Sequence, residues 1–107
     1  MARTVTSQSE FNRLIAELAG SRLVVVQFYA IWHEASHVRV APYVEQLPSA
    51  FPDVIVVKID VDDHSDIAIA RAVRSLPTFQ LFKRGEMVDQ VIGTDTVVLD
   101  RAIRLRM

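Results

Sequence analysis

His33-Glu34-Ala35-Ser36-His37 has the spacing H-E-x-x-H, in which two imidazoles one helical turn apart can bind zinc and the glutamate can activate a bound water. Hydrolysis at such a centre needs a third protein ligand, because two imidazoles leave the rest of the shell to solvent. Val40 and Tyr43 stand where the longer form of the motif carries glycine and histidine. The segment also opens a helix at a surface loop instead of lying within one. The residues therefore read as two surface histidines with no metal and no cofactor, and a metal-dependent hydrolase site at His33, Glu34 and His37 is the enzyme alternative. His64 reads as a polar residue near a helix start, and Asp62 and Asp63 beside it as a solvated, dipole-favoured cap. No cysteine occurs in the 107 residues, so thiolate and disulfide chemistry are excluded by composition.

The elements that must position Trp32 to His37 follow from the pattern of apolar residues. Ser7-Gln8-Ser9-Glu10 has capping-box spacing, and Phe11, Leu14, Ile15 and Leu18 then form one apolar stripe that Gly20 stops. Leu23 to Tyr29 is short and rich in β-branched and aromatic residues, which predicts a strand covered on both faces, directly before Trp32. A helix is expected over about 34–51 with a kink at Pro42, since an interior proline removes a hydrogen bond and crowds the preceding turn. Val54 to Asp60 predicts a second buried strand, and Asp60, Asp62, Asp63 and Ser65 suit the start of a helix running through Val73. Thr78–Lys83 and Met87–Ile92 flank Arg84-Gly85 as a hairpin. A last helix from about Thr96 should turn Val98, Leu99, Ala102 and Ile103 to the core.

Half of the residues are apolar, and the formal charge is −1 with both signs interspersed. That suits one domain over 1–107 that folds without staples, and it supplies no broad field for nucleic acid or an anionic membrane. No apolar run reaches the roughly 20 residues of a membrane span, and the first residues lack the apolar core of a signal peptide, so a cytoplasmic protein is expected. Strand-helix-strand followed by a hairpin and a helix predicts an α/β protein with a central mixed β-sheet between two helical layers.

Val24 to Trp32, Val61-Asp62-Asp63, Leu76-Pro77-Thr78-Phe79, Phe82-Lys83-Arg84-Gly85 and Gly93 occur in an order and at spacings that resemble the thioredoxin family over almost the whole chain. The resemblance implies the thioredoxin fold, a cis peptide before Pro77, and a peptide-binding groove lined by Trp32, Leu76, Pro77 and Gly93. It also implies that His33 and Ser36 occupy the two cysteine positions of Trp-Cys-Gly-Pro-Cys, with Glu34 and Ala35 between them. Gln27 aligns with the family's buried aspartate, and an amide there agrees with a site that no longer moves protons. The interval from Trp32 to Pro42 is one residue longer than the family's, which leaves the helix register after the loop open. Trp-x-x-x-Ser, with Glu34-Ala35-Ser36, is also similar to the N-terminal domain of PICOT-type monothiol glutaredoxins, which often lacks a working dithiol and serves as an interaction or targeting module. The functional expectation is a redox-inactive, thioredoxin-like domain that binds a protein or peptide without covalent chemistry. A redesigned scaffold with no selected function is a further alternative, and the oligomeric state is not legible.

Overall fold

Strand β2 (Val24–Tyr29) is the centre of the molecule, and its two-residue period sorts the core into two halves. In the computed structural model, which describes residues 2–107, a five-stranded sheet runs in the order β1-β3-β2-β4-β5. β1 is Arg3–Thr4, β3 is Ile55–Asp60, β4 is Thr78–Lys83 and β5 is Glu86–Ile92. β1 and β2 pair parallel to β3, whereas β4 pairs antiparallel to β2 and β5 antiparallel to β4, giving the expected mixed sheet. Val24, Val26 and Phe28 face a core shared with Phe11, Leu14, Ile15, Ile67 and Ala68. Leu23 and Val25 face the other, shared with Val44, Leu47, Phe51, Leu99, Ala102 and Ile103. The first half is roofed by helices α1 (Gln8–Arg13) and α3 (Ser65–Ala70), the second by α2 (Ala41–Ala50) and α4 (Thr96–Arg106). The three layers match expectation.

Local chemistry accounts for most element boundaries. Ser7 caps α1 by accepting the Glu10 backbone N–H, but the Glu10 carboxylate takes the Thr6 hydroxyl, at 2.6 Å, so only one arm of the expected capping box forms. Arg84 and Gly85 both have positive φ, 55° and 85°, the conformation of a two-residue hairpin turn whose twist matches its strands. Asp95 caps α4 by accepting from the backbone N–H groups of Val97 and Val98.

Four sequence expectations need correction. The α1 helix passes into a π-helical turn over Leu14–Leu18, and its wider spacing turns Leu18 out to 50% exposure while Ala19 enters the core. Val98 is 45% exposed, as α4 buries the narrower stripe Leu99, Ala102 and Ile103. The third helix ends at Ala70 instead of Val73, and its N-cap is His64 with no side-chain cap bond. The helix expected over 34–51 is divided: Ala35–Arg39 is π-helical, Val40 is a turn, and Pro42 lies in the first turn of α2, where its missing N–H costs no hydrogen bond.

That π-helical segment explains how the extra residue before Pro42 is accommodated. A π turn is an α-helix with one residue inserted, and here the excess is absorbed before α2 begins, so Val40, Val44, Leu47 and Phe51 keep their inward register. Deleting the exposed Val38 is therefore expected to restore continuous α-helix and to change stability by less than about 1 kcal/mol, read from the urea midpoint. A loss of several kcal/mol would show that the π turn is required. α2 is also latched to α4, since the Tyr43 hydroxyl donates to Asp100 at 2.9 Å and Arg104 donates to the same carboxylate at 2.8 Å. The Arg104 and Tyr43 bonds hold Asp100 below the usual carboxylate range. Its contribution to stability is therefore present above the ordinary carboxylate pKa and is lost as pH falls through the lowered value.

Candidate functional site

Register brings the candidate residues to one end of the sheet's strands. Tyr29 at the end of β2 pairs with Asp60 at the end of β3, and Phe28 pairs with Thr78 at the start of β4, which pairs with Ile92 at the end of β5. The segments beyond these residues meet there: Ala30 to Ser36, Val61 to His64, Leu76-Pro77 and Gly93. The Leu76–Pro77 peptide is cis, and the Gly93 N–H donates to the Pro77 carbonyl at 3.0 Å. Gly93 has φ 111°, which an L side chain rarely adopts, and a Cβ added there would meet no atom within 4 Å. Leu76 is half-buried and packs against the α1/α3 core, while Pro77 is buried.

The two positions where the family resemblance implies cysteine differ sharply in burial. Ser36 is fully buried, and its hydroxyl donates to the His33 carbonyl at 3.0 Å while accepting from the Ala30 N–H at 3.2 Å. Gln27 lies below it, only 1% exposed, and its amide Nε2 donates to the Ser36 carbonyl at 2.9 Å. Gln27 and Ser36 thus form one contact that fixes the loop to the core strand, although the Gln27 Oε1 has no partner among the described residues. His33 is half-buried, and its Nδ1 accepts the Ser36 N–H at 3.2 Å, so this imidazole does the work of a helix cap. Ala35 is half-buried and Glu34 is exposed.

The two histidines of the zinc-like motif are held by different neighbours. His37 stacks on Tyr29 with ring centroids 5.4 Å apart, and the Lys58 ammonium sits over the same tyrosine at 4.8 Å. Among the described residues no group of three or more His, Asp or Glu is placed to hold a metal ion. The His33 Nδ1 lone pair is already committed to a backbone N–H.

Trp32 lies at the surface and not in the core. It is 70% exposed, its neighbour Ile31 is 67% exposed, and its indole Nε1 donates to the Asp62 carboxylate at 2.7 Å. Asp62 is therefore a positioning group for the indole, a role that the sequence reading of a solvated cap missed. The signal lay in the parallel pairing of β2 with β3, which sets the residues after Tyr29 beside those after Asp60. Ile31 and Tyr29 were also missed, since neither belongs to the short motif. The arrangement provides a partly apolar surface with no thiol at its centre.

Comparison with known proteins gives a consistent picture. The family profile described as Thioredoxin matches residues 2–104. Thioredoxin-1 of Schizosaccharomyces pombe is 32% identical over 107 residues, spanning all of both chains. The thioredoxin of Ophiophagus hannah is 35% identical, also over the full length of both. The X-ray structure of Fasciola hepatica thioredoxin superposes with a TM-score of 0.93 at 31% identity, covering 98% of this chain and 99% of that one.

Proposed function

The chain belongs to the thioredoxin family, and on that premise we propose that it is a redox-inactive, non-enzymatic member that binds a protein or peptide non-covalently at the lip formed by Trp32, Leu76, Pro77 and Gly93. The observation that carries the reading is the pairing of a missing reaction centre with a kept surface. His33 and Ser36 are engaged in backbone hydrogen bonds and Gln27 is tied to Ser36, so the former dithiol region is a structural knot. Beside it, Ile31 and Trp32 expose large apolar groups that contribute nothing to the core. Exposed aromatic surface held in one orientation supports binding, because little side-chain entropy remains to be lost on contact.

A cytoplasmic location is part of the same proposal. It is supported by a surface of mixed charge and by the finding that no helix among the described residues is long and apolar enough to cross a membrane.

Selection of random nonapeptides displayed on phage tests the binding reading. Peptides recovered against the wild-type protein are expected to lose affinity by about tenfold or more toward Trp32→Ala, as removal of an aromatic anchor does at other interfaces. The variant should keep its urea midpoint, because Trp32 is exposed. Failure to recover binders, or binders indifferent to Trp32→Ala, would overturn the reading.

A further inference from the structure

The exposed lip is bordered by negative charge that no cation among the described residues pairs with in a salt bridge. Asp62 accepts from the Trp32 indole, and Asp60 accepts the Asp62 backbone N–H at 2.9 Å, so one carboxylate touches the aromatic side chain and the second lies directly behind it. Asp63 is exposed and follows Asp62 directly in the turn after β3, and together with Asp60 it adds to the effect of burial in raising the Tyr29 hydroxyl pKa. Glu34 and Asp66, both exposed, extend the acidic border on either side in sequence.

Among the described residues the ion pairs are Arg13–Glu17, Arg104–Asp100 and Arg106–Asp89, and none involves these five carboxylates. Two of the neighbouring cations are occupied elsewhere. Lys58 lies over Tyr29, and Arg71 is turned inward over the Phe11 and Phe82 rings while it donates to Asn12. Arg39 and Arg74 are the exposed cations of the same segments.

We propose that the lip selects an extended peptide segment in which an apolar residue is flanked by lysine or arginine, a proposal that rests on the binding reading above. The apolar residue covers Ile31 and the rim beside Pro77. The cation faces Asp62 and Asp63 and can reach the exposed indole of Trp32, the side chain whose π-face attracts cations most strongly. An acidic segment of the same shape is rejected, since like charges brought together across an interface are costly. This is non-covalent recognition, and it forms no bond to the partner.

The test uses the peptides recovered by phage selection. They are expected to carry an excess of Lys and Arg next to an apolar residue. Asp62→Asn with Asp63→Asn should weaken a synthetic copy of the best one by about three- to tenfold at low salt, with the difference shrinking as salt is added. Asparagine at position 62 still offers an acceptor to the Trp32 indole, and Asp63→Asn alone, which leaves that bond untouched, should give a smaller loss in the same direction. Peptides that require Trp32 but show no basic excess and ignore both substitutions would overturn the charge proposal and leave the binding reading standing. Absence of any Trp32-dependent peptide would remove both.

Discussion

Purified protein added to insulin and dithiothreitol is expected to produce no turbidity beyond that of dithiothreitol alone. Reduction of a disulfide proceeds by attack of a thiolate on sulfur, followed by release of the mixed disulfide by a second thiol. The chain has no sulfur nucleophile, since cysteine is absent and its three methionines are thioethers. His33 and Ser36 cannot substitute. The serine hydroxyl is fully buried between the Ala30 and His33 backbone groups, and the His33 Nδ1 lone pair accepts the Ser36 N–H. The effect is all-or-none, so the assay is decisive. Reproducible, concentration-dependent reduction by protein free of contaminating thioredoxin would end the redox-inactive assignment.

How much of this was legible in the sequence depends on the range of the interactions involved. The strands and the hairpin follow from local pattern: β2 and β3 are runs of β-branched and aromatic residues, and Arg84-Gly85 can take the positive φ its turn demands. The α/β layering follows from their order. The π-helical turns were not legible, because each is an α-helix with one residue too many and the surplus is decided by which neighbours must reach the core. Leu18 fits an α-helical stripe as well as its neighbours do, yet Ala19 is the residue that packs. At the site, His33, Ser36 and Gln27 could be aligned with a reaction centre, but their hydrogen bonds to one another could not be read from spacing. The Trp32–Asp62 contact joins residues 30 apart and follows only once β2 is registered against β3.

The variant His33→Cys with Ser36→Cys is expected to form an intramolecular disulfide readily. Position 33 already reaches back over position 36: its side-chain Nδ1 lies 3.2 Å from the Ser36 nitrogen, and the Ser36 hydroxyl lies 3.0 Å from the His33 carbonyl. Two residues in this relation bring their Cβ atoms toward the roughly 3.5–4.5 Å separation that a disulfide needs. The helix start behind position 36, whose N–H also donates to the position 33 carbonyl at 3.1 Å, would then favour negative charge on the sulfur at position 33 and stabilise its thiolate, making it the attacking group. The sulfur at position 36 would be buried, as the serine is, and would serve as the resolving partner. Mild oxidation should remove two hydrogens from a monomer, as seen by intact mass. Reductase turnover should nevertheless stay slow, because Gln27 beneath the loop donates to the position 36 carbonyl and cannot accept a proton. Adding Gln27→Asp places a proton acceptor there, and turnover is expected to rise by about 100-fold, the lower end of what a positioned general base supplies. A double variant that stays reduced or gives only intermolecular dimers would show that the π turn over Ala35–Arg39 holds the two positions outside disulfide geometry. Deletion of Val38 in that background then locates the cause, since restoring α-helical spacing should recover the bond if the inserted residue alone prevented it.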